Sequence, residues 1–141
     1  AQPRSAEALY SIKKGGYVLS ECQGEPEAII IATGSEVELG VTAAQHLAAE
    51  GVLVRVVSMP CVELFTAQDQ AYRDQVLPPG VRARVAVEAG HPDSWYKFVG
   101  LDGAVVGIDR FGLSAPGAQA MAELGMTVDA VVAATKRVIG H

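Results

Sequence analysis

From Ala28 to Pro60 the chain passes from an unbroken apolar run, through a helical repeat, into a second apolar run rich in β-branched residues. Ala28–Thr33 and Val52–Met59 each have the length and continuity of a strand buried on both faces of a parallel sheet. Between them Val37, Val41, Ala44, Leu47 and Ala48 recur at i, i+4, i+7, i+10 and i+11, which is one face of an α-helix. Ser35 and Glu38 have the spacing of a capping box, in which the hydroxyl accepts from the Glu38 amide and the carboxylate from the Ser35 amide. Gly51 supplies a left-handed stop. A helix of this length returning to a second strand requires a parallel pair with a right-handed crossover, so the predicted class is α/β.

The same pattern extends outward. Tyr17–Glu21 is a short strand, separated from the next by the turn-like Gly24-Glu25-Pro26. That connection is too short for a crossover helix, so if these two strands pair they are antiparallel and the first is an edge. Downstream, Met59-Pro60 ends a strand, and Thr66 is placed to cap a helix over residues 67–77 that Pro78-Pro79 terminates. Arg82–Ala89 and Ala104–Ile108 read as further strands, with a short helix over His91–Val99 between them. Phe111–Ala115 reads as loop, and Pro116 opens a helix that stops at Gly125. A final helix starts at Thr127 and puts Val128, Val131, Val132, Thr135, Val138 and Ile139 on one face. Its Lys136 and Arg137 lie where the helix dipole favours cations.

Composition narrows the function. The chain has 141 residues, enough for one domain, with half of them hydrophobic and 19% charged, which suits a sheet covered on both faces. A net charge of −5 without a basic stripe opposes general binding to nucleic-acid phosphates. The apolar segments are strand-sized, short of the ~20 residues that span a bilayer, and no signal peptide opens the chain, so a soluble, cytoplasmic protein is expected. Cys22 and Cys61 have neither C-x-x-C spacing nor a nearby histidine cluster, and are expected to be reduced thiols.

Three features carry candidate chemistry. Gly34-Ser35 follows a strand and precedes a helix, where an anion can bind, although the plainer reading is a turn and a cap, and no G-x-G-x-x-G or P-loop pattern is present. Cys61 and His91 each follow a strand, so both can reach the carboxyl edge of the sheet, where a Cys–His nucleophile pair would be built. The flanking Met59-Pro60 and Val62-Glu63 lack the small residues of a nucleophile elbow. Glu88, Asp93 and Asp109 are isolated carboxylates without metal-ligand spacing, His46 lies away from the helix core face, and His141 is terminal. Trp95, Tyr96 and Phe98 form an aromatic cluster of which part is expected to be exposed as a docking surface.

Read in order, IIIATGSEVELGV, VRVVSMPCVELFTAQDQAYRDQVLP, RVAVEAGHPDSWYKFVGLDGAVVGIDRFGLSAP and GMTVDAVV resemble the carboxyl-terminal domain of transketolase from Tyr17 nearly to the end of the chain. The resemblance implies a three-layer α/β/α sandwich around a five-stranded mixed, mostly parallel sheet with one antiparallel edge strand. Residues 1–16 then form a linker arriving from a preceding domain, and 17–141 the carboxyl-terminal domain of a larger enzyme. That enzyme is implied to transfer a two-carbon ketol unit between sugar phosphates in the pentose phosphate pathway, as a homodimer using thiamine diphosphate and a divalent metal, Mg or Ca. The family's cofactor, metal and substrate sites belong to two preceding domains, so no catalytic, cofactor-binding or metal-binding residue is carried over onto this chain. The implied partners are those preceding domains, with sugar phosphates bound elsewhere and neither nucleic acid nor membrane. The alternative is a freestanding small α/β enzyme or ligand-binding module using Cys61, His91 or the Gly34-Ser35 turn.

Overall fold

The strand at Ala28–Ala32 is buried along its whole length, and it forms the centre of a five-stranded sheet. The structure is a computed structural model that describes residues 13–34, 36–88, 95–107 and 127–140, without the side chains of Glu88 and Tyr96. Its strands are β1 (Tyr17–Ser20), β2 (Ala28–Ala32), β3 (Val54–Ser58), β4 (Arg84–Glu88) and β5 (Ala104–Gly107). Its helices are α1 (Glu36–Ala49), α2 (Val62–Thr66), α3 (Gln70–Val76), α4 (Tyr96–Val99) and α5 (Val128–Ile139). The spatial order is β1-β3-β2-β4-β5; β1 runs antiparallel to β3 and all other pairs are parallel.

Alternation along the strands builds two apolar layers. Ala28, Ile30, Ala32, Val54, Val56, Val85 and Val87 face α1 and α5, while Ile29, Ile31, Val57 and Ala86 face α2, α3 and α4. This is the expected α/β/α sandwich with one antiparallel edge strand. The neighbour of that edge strand differs from the simplest expectation, because β1 lies beside β3, whereas its sequence neighbour β2 is central. The fully apolar β2 gains more from two covered faces and two paired edges than the half-exposed β1 would.

Helix α1 keeps the expected period with a shifted phase. Gly40, Ala43, Ala44 and Leu47 are buried, Val37 and Val41 flank them, and Ala48 is exposed. A methyl group on Gly40 would come within 3.1 Å of the Ile30 side chain, so small residues face the sheet and let the helix pack close. The Gly51 stop is as expected: at φ +83° its amide donates to the Ala48 carbonyl, and the Val52 amide to that of Leu47. His46 is exposed, as its helical position predicts.

The helix expected over residues 67–77 starts later, as α3 at Gln70–Val76, and a separate short helix, α2 at Val62–Thr66, precedes it. The Thr66 hydroxyl donates back to the Val62 carbonyl and ends α2, while Asp69 caps α3 by accepting from the Tyr72 amide at 2.8 Å. Both residues are cap formers, and the carboxylate takes the free amide. Helix α5 begins and faces as expected, with Thr127 accepting from the Ala130 amide and Val131, Ala134 and Thr135 buried. Thr127→Ala is expected to cost about 1 kcal/mol in urea unfolding through loss of this cap bond. The Ser35 capping box, the Phe111–Ala115 loop and the helix from Pro116 to Gly125 lie outside the described residues.

Two arginines join segments that are distant in sequence. Arg84, the first residue of β4, donates through Nε to the Val81 carbonyl, through Nη1 to that of Phe98, and through Nη2 to those of Leu77 and Pro78. It thereby ties the loop entering β4 to the end of α4. Arg55 of β3 donates to both carboxylate oxygens of Glu21 and to the Gln75 and Val76 carbonyls. It holds the exit of the edge strand against the end of α3.

Candidate functional site

The connection from β2 to β3 crosses one face of the sheet through α1, and that from β3 to β4 crosses the other through α2 and α3. The winding therefore reverses between β2 and β4. In open α/β sheets a ligand crevice forms outside the carboxyl ends of strands at such a point. The turn at Thr33-Gly34 leaves the sheet there, beside the carboxyl end of β4.

Gly34 turns with φ +59°, and the Glu36 and Val37 amides donate to the Thr33 and Gly34 carbonyls. Glu36 is 6% exposed in the first turn of α1, and a methyl group on Gly34 would lie 3.7 Å from its Oε2. A carboxylate at a helix N-terminus complements the dipole, and this one lies beside the Gly34 turn. The described geometry at Gly34 is that of a turn. Ser35 itself is outside the described residues. Sequence reading passed over the burial of Glu36, whose only signal was a third polar residue directly at the helix start.

Cys61 stands at the N-cap of α2 in extended conformation and makes no side-chain cap bond. Its Sγ is 3.5 Å from Glu63 Oε2, so the nearest described polar partner is a carboxylate, the opposite of the cationic surroundings that activate a nucleophilic thiol. His91 lies outside the described residues. The strands from which Cys61 and His91 emerge are separated by β2, about 10 Å apart at their ends. Both cysteines are free. Burial, with the neighbouring Glu21 carboxylate, pushes the Cys22 thiol up from its ordinary value.

In the aromatic cluster Trp95 is core and Phe98 is half-buried. Trp95 is 3% exposed and its ring lies 5.9 Å from that of Phe98, which in turn lies 6.0 Å from Phe65. Trp95, Phe98 and Val99 share the face expected of them, and that face packs under the sheet. Trp95 is therefore not a docking residue.

Sequence reading also missed the seat of residues 14–16. The Gly15 carbonyl accepts from the Cys61 amide at 3.0 Å and the Gly16 carbonyl from the Tyr72 hydroxyl at 2.7 Å, while Lys14 Nζ lies 4.1 Å from the centre of the Tyr72 ring. Both glycines are buried. Burial raises the Tyr72 hydroxyl above its usual value, which keeps it a donor.

Glu21 titrates below the usual carboxylate range: burial pushes it up, and the hydrogen bonds and charge of Arg55, with the Cys22 amide, outweigh that. A depressed carboxyl stabilises the fold above its unfolded value of about 4.3 and loses that contribution as pH falls through its folded value. Glu21→Gln is expected to flatten the loss of thermal stability between about pH 5 and 3. An unchanged slope across that window would show that the Arg55 pair does not form in solution.

Among the described residues no three His, Cys, Asp or Glu side chains are grouped to hold a metal, and no helix is long and apolar enough to cross a membrane.

The fold and its carboxyl edge define a doubly wound α/β/α domain with an antiparallel edge strand. Residues 15–127 match the model of the transketolase-like TK C-terminal domain. The chain is 58% identical to transketolase 1 of Escherichia coli K12 and 55% to transketolase 1 of Vibrio vulnificus YJ016, in each case over 98% of its own length and 21% of the relative's. Among solved structures it superposes on transketolase from Leishmania mexicana with TM-score 0.85 and 40% identity, over 98% of this chain and 20% of that one. The chain belongs to the transketolase family, as its carboxyl-terminal domain. It spans about a fifth of the length of the curated relatives it matches.

Proposed function

We propose that this chain is the noncatalytic carboxyl-terminal domain of a transketolase that transfers a two-carbon ketol unit between sugar phosphates in the pentose phosphate pathway. The observation that carries this reading is the match over 98% of the chain to relatives of which it covers only 21%. In the whole enzyme, thiamine diphosphate and a divalent metal, Mg or Ca, are held by the preceding domains, and the sugar phosphates bind there. Residues 17–141 form the domain, and residues 1–16 arrive from the domain before it, with Gly15 and Gly16 seated against α2. The partners are the preceding domains within a cytoplasmic homodimer, with no role for nucleic acid or membrane. A freestanding enzyme built on Cys61, His91 or Gly34-Ser35 is not favoured, since Cys61 faces Glu63 and Glu36 covers the Gly34 turn.

In such an enzyme the cofactor's thiazolium carbon supplies the chemistry, and the protein orients it. What these residues contribute is support: a sheet locked between helices and an entry segment held by the Cys61 amide and the Tyr72 hydroxyl. Calorimetric titration of this chain with thiamine diphosphate and Mg is expected to show no saturable binding, and a ketol-transfer assay no turnover. Micromolar binding to the chain alone would overturn the assignment of catalysis to other domains.

A further inference from the structure

The described residues form a concavity at the opposite, amino edge of the sheet. It is an open groove of about 500 Å³, within the size range of small-molecule sites, on the side covered by α2, α3 and α4. The loops that enter β4 and β5 form one rim. Phe98 and Leu77 give it an apolar wall, while Arg73, Arg82, Arg84 and Lys97 reach it from different elements. Two carboxylates, Asp74 and Asp102, also line it, so the groove carries two excess positive charges in a chain whose net charge is −5.

The distribution of partners shows which cations are available. Arg82 and Asp102 pair with each other. Arg84 is committed to four carbonyls, and among the described residues no carboxylate lies within ion-pair distance of it. Burial lowers its pKa, with Asp74 opposing, so it is a partly desolvated positive charge compensated mainly by dipoles. Arg73 has Nε and Nη2 fixed by the Gln68 carbonyl and Gln70 Oε1, and its Nη1 makes no hydrogen bond to a described residue. Lys97 is exposed, lies 5.3 Å from the Phe98 ring centre, and has no carboxylate partner among the described residues. A guanidinium already oriented by two bonds loses little freedom on binding an anion.

We propose that this groove binds a small organic dianion, whose charged head is held by Arg73 and Lys97 and whose apolar body lies against Phe98 and Leu77. The charge excess matches a dianion, and Arg84 adds field without contact. A phosphate monoester and a dicarboxylate share this chemistry. The site is separate from the sheet edge discussed above and does not depend on how the whole enzyme works.

The experiment is calorimetric or NMR titration of this chain with phenyl phosphate and isophthalate, with inorganic phosphate and benzyl alcohol as controls. At least one ringed dianion is expected to bind saturably below about 10 mM and more tightly than either control. Lys97→Gln and Arg73→Gln should each weaken it about tenfold, whereas Lys136→Gln, a cation on α5 paired with Glu50, should leave it unchanged. If phenyl phosphate alone binds, the ligand is a phosphate ester; if isophthalate alone, a dicarboxylate. Lys97 is exposed, so its variant tests the site even where Arg73→Gln perturbs α3. Failure of both dianions to saturate, binding of inorganic phosphate as tight as that of the ringed compounds, or equal weakening by Lys136→Gln would each overturn the proposal.

Discussion

Gly15→Ala is expected to destabilise the domain by about 3 kcal/mol or more, the largest effect of any single methyl group described here. At φ +87° an L side chain is already strained, by about 1–2 kcal/mol. The added carbon would also lie 2.4 Å from the Cys61 carbonyl oxygen and 2.5 Å from the Phe65 amide nitrogen, both backbone atoms of the first turn of α2. Backbone cannot swing aside as a side chain can, so either α2 or the arriving segment must move. Gly16→Ala should cost less, because its nearest atoms are the Met59 sulfur and the Phe65 ring, which can shift. Gly51→Ala is the control: at φ +83° with nothing within 4 Å, it should lose only about 1 kcal/mol. Urea unfolding of the three variants checks this order. If Gly15→Ala costs no more than Gly51→Ala, the seat of residues 14–16 on α2 is not part of the folded state. The consequence for the proposed enzyme is positional, since a chain pinned at Gly15 enters the domain at one place and in one direction.

Replacing Arg84 by methionine is expected to cost about 3 kcal/mol. The exchange keeps the stem packed and removes the guanidinium donors from the Leu77, Pro78, Val81 and Phe98 carbonyls, of which Pro78 keeps the Val81 amide. The open groove lets water reach some of these oxygens, which keeps the loss below the sum of the separate bonds. Arg84→Lys should recover little, because an ammonium cannot reach four acceptors spread around a planar fork. Thermal unfolding together with amide exchange over residues 77–84 and 98–103 checks the mechanism, since the loops entering β4 and β5 should open first. Full stability of the lysine variant would show that charge alone, rather than the fork, holds these loops.

The local elements of this chain are legible in its sequence because their signals are local. The continuous apolar run at Ala28–Ala32, the cap at Thr127 and the stop at Gly51 each depend on neighbours within a few residues, and each appears where expected. The start of α3 was not legible, because Thr66 and Asp69 are both good caps and the choice rests on which side chain finds a free amide. The phase of α1 was misjudged by Ala48 because hydrophobicity favours valine and leucine, whereas close packing on Ile30 favours Gly40 and Ala43.

By itself the sequence determined the class and, through its long motifs, the family, whose resemblance implied the mixed sheet with an antiparallel edge; strand runs, caps and motifs need no knowledge of what packs on what. Only the tertiary structure decided that β1 lies beside β3, that Trp95 is core, that Glu36 covers the Gly34 turn, and that Gly15 is wedged against Cys61. It also brought Arg55 to Glu21 across 34 positions and gathered Arg73, Arg84 and Lys97 around one groove. The physical reason is the same throughout: these contacts join residues far apart in the chain, and their free energy is realised only once burial of the central strand has closed the loops between them.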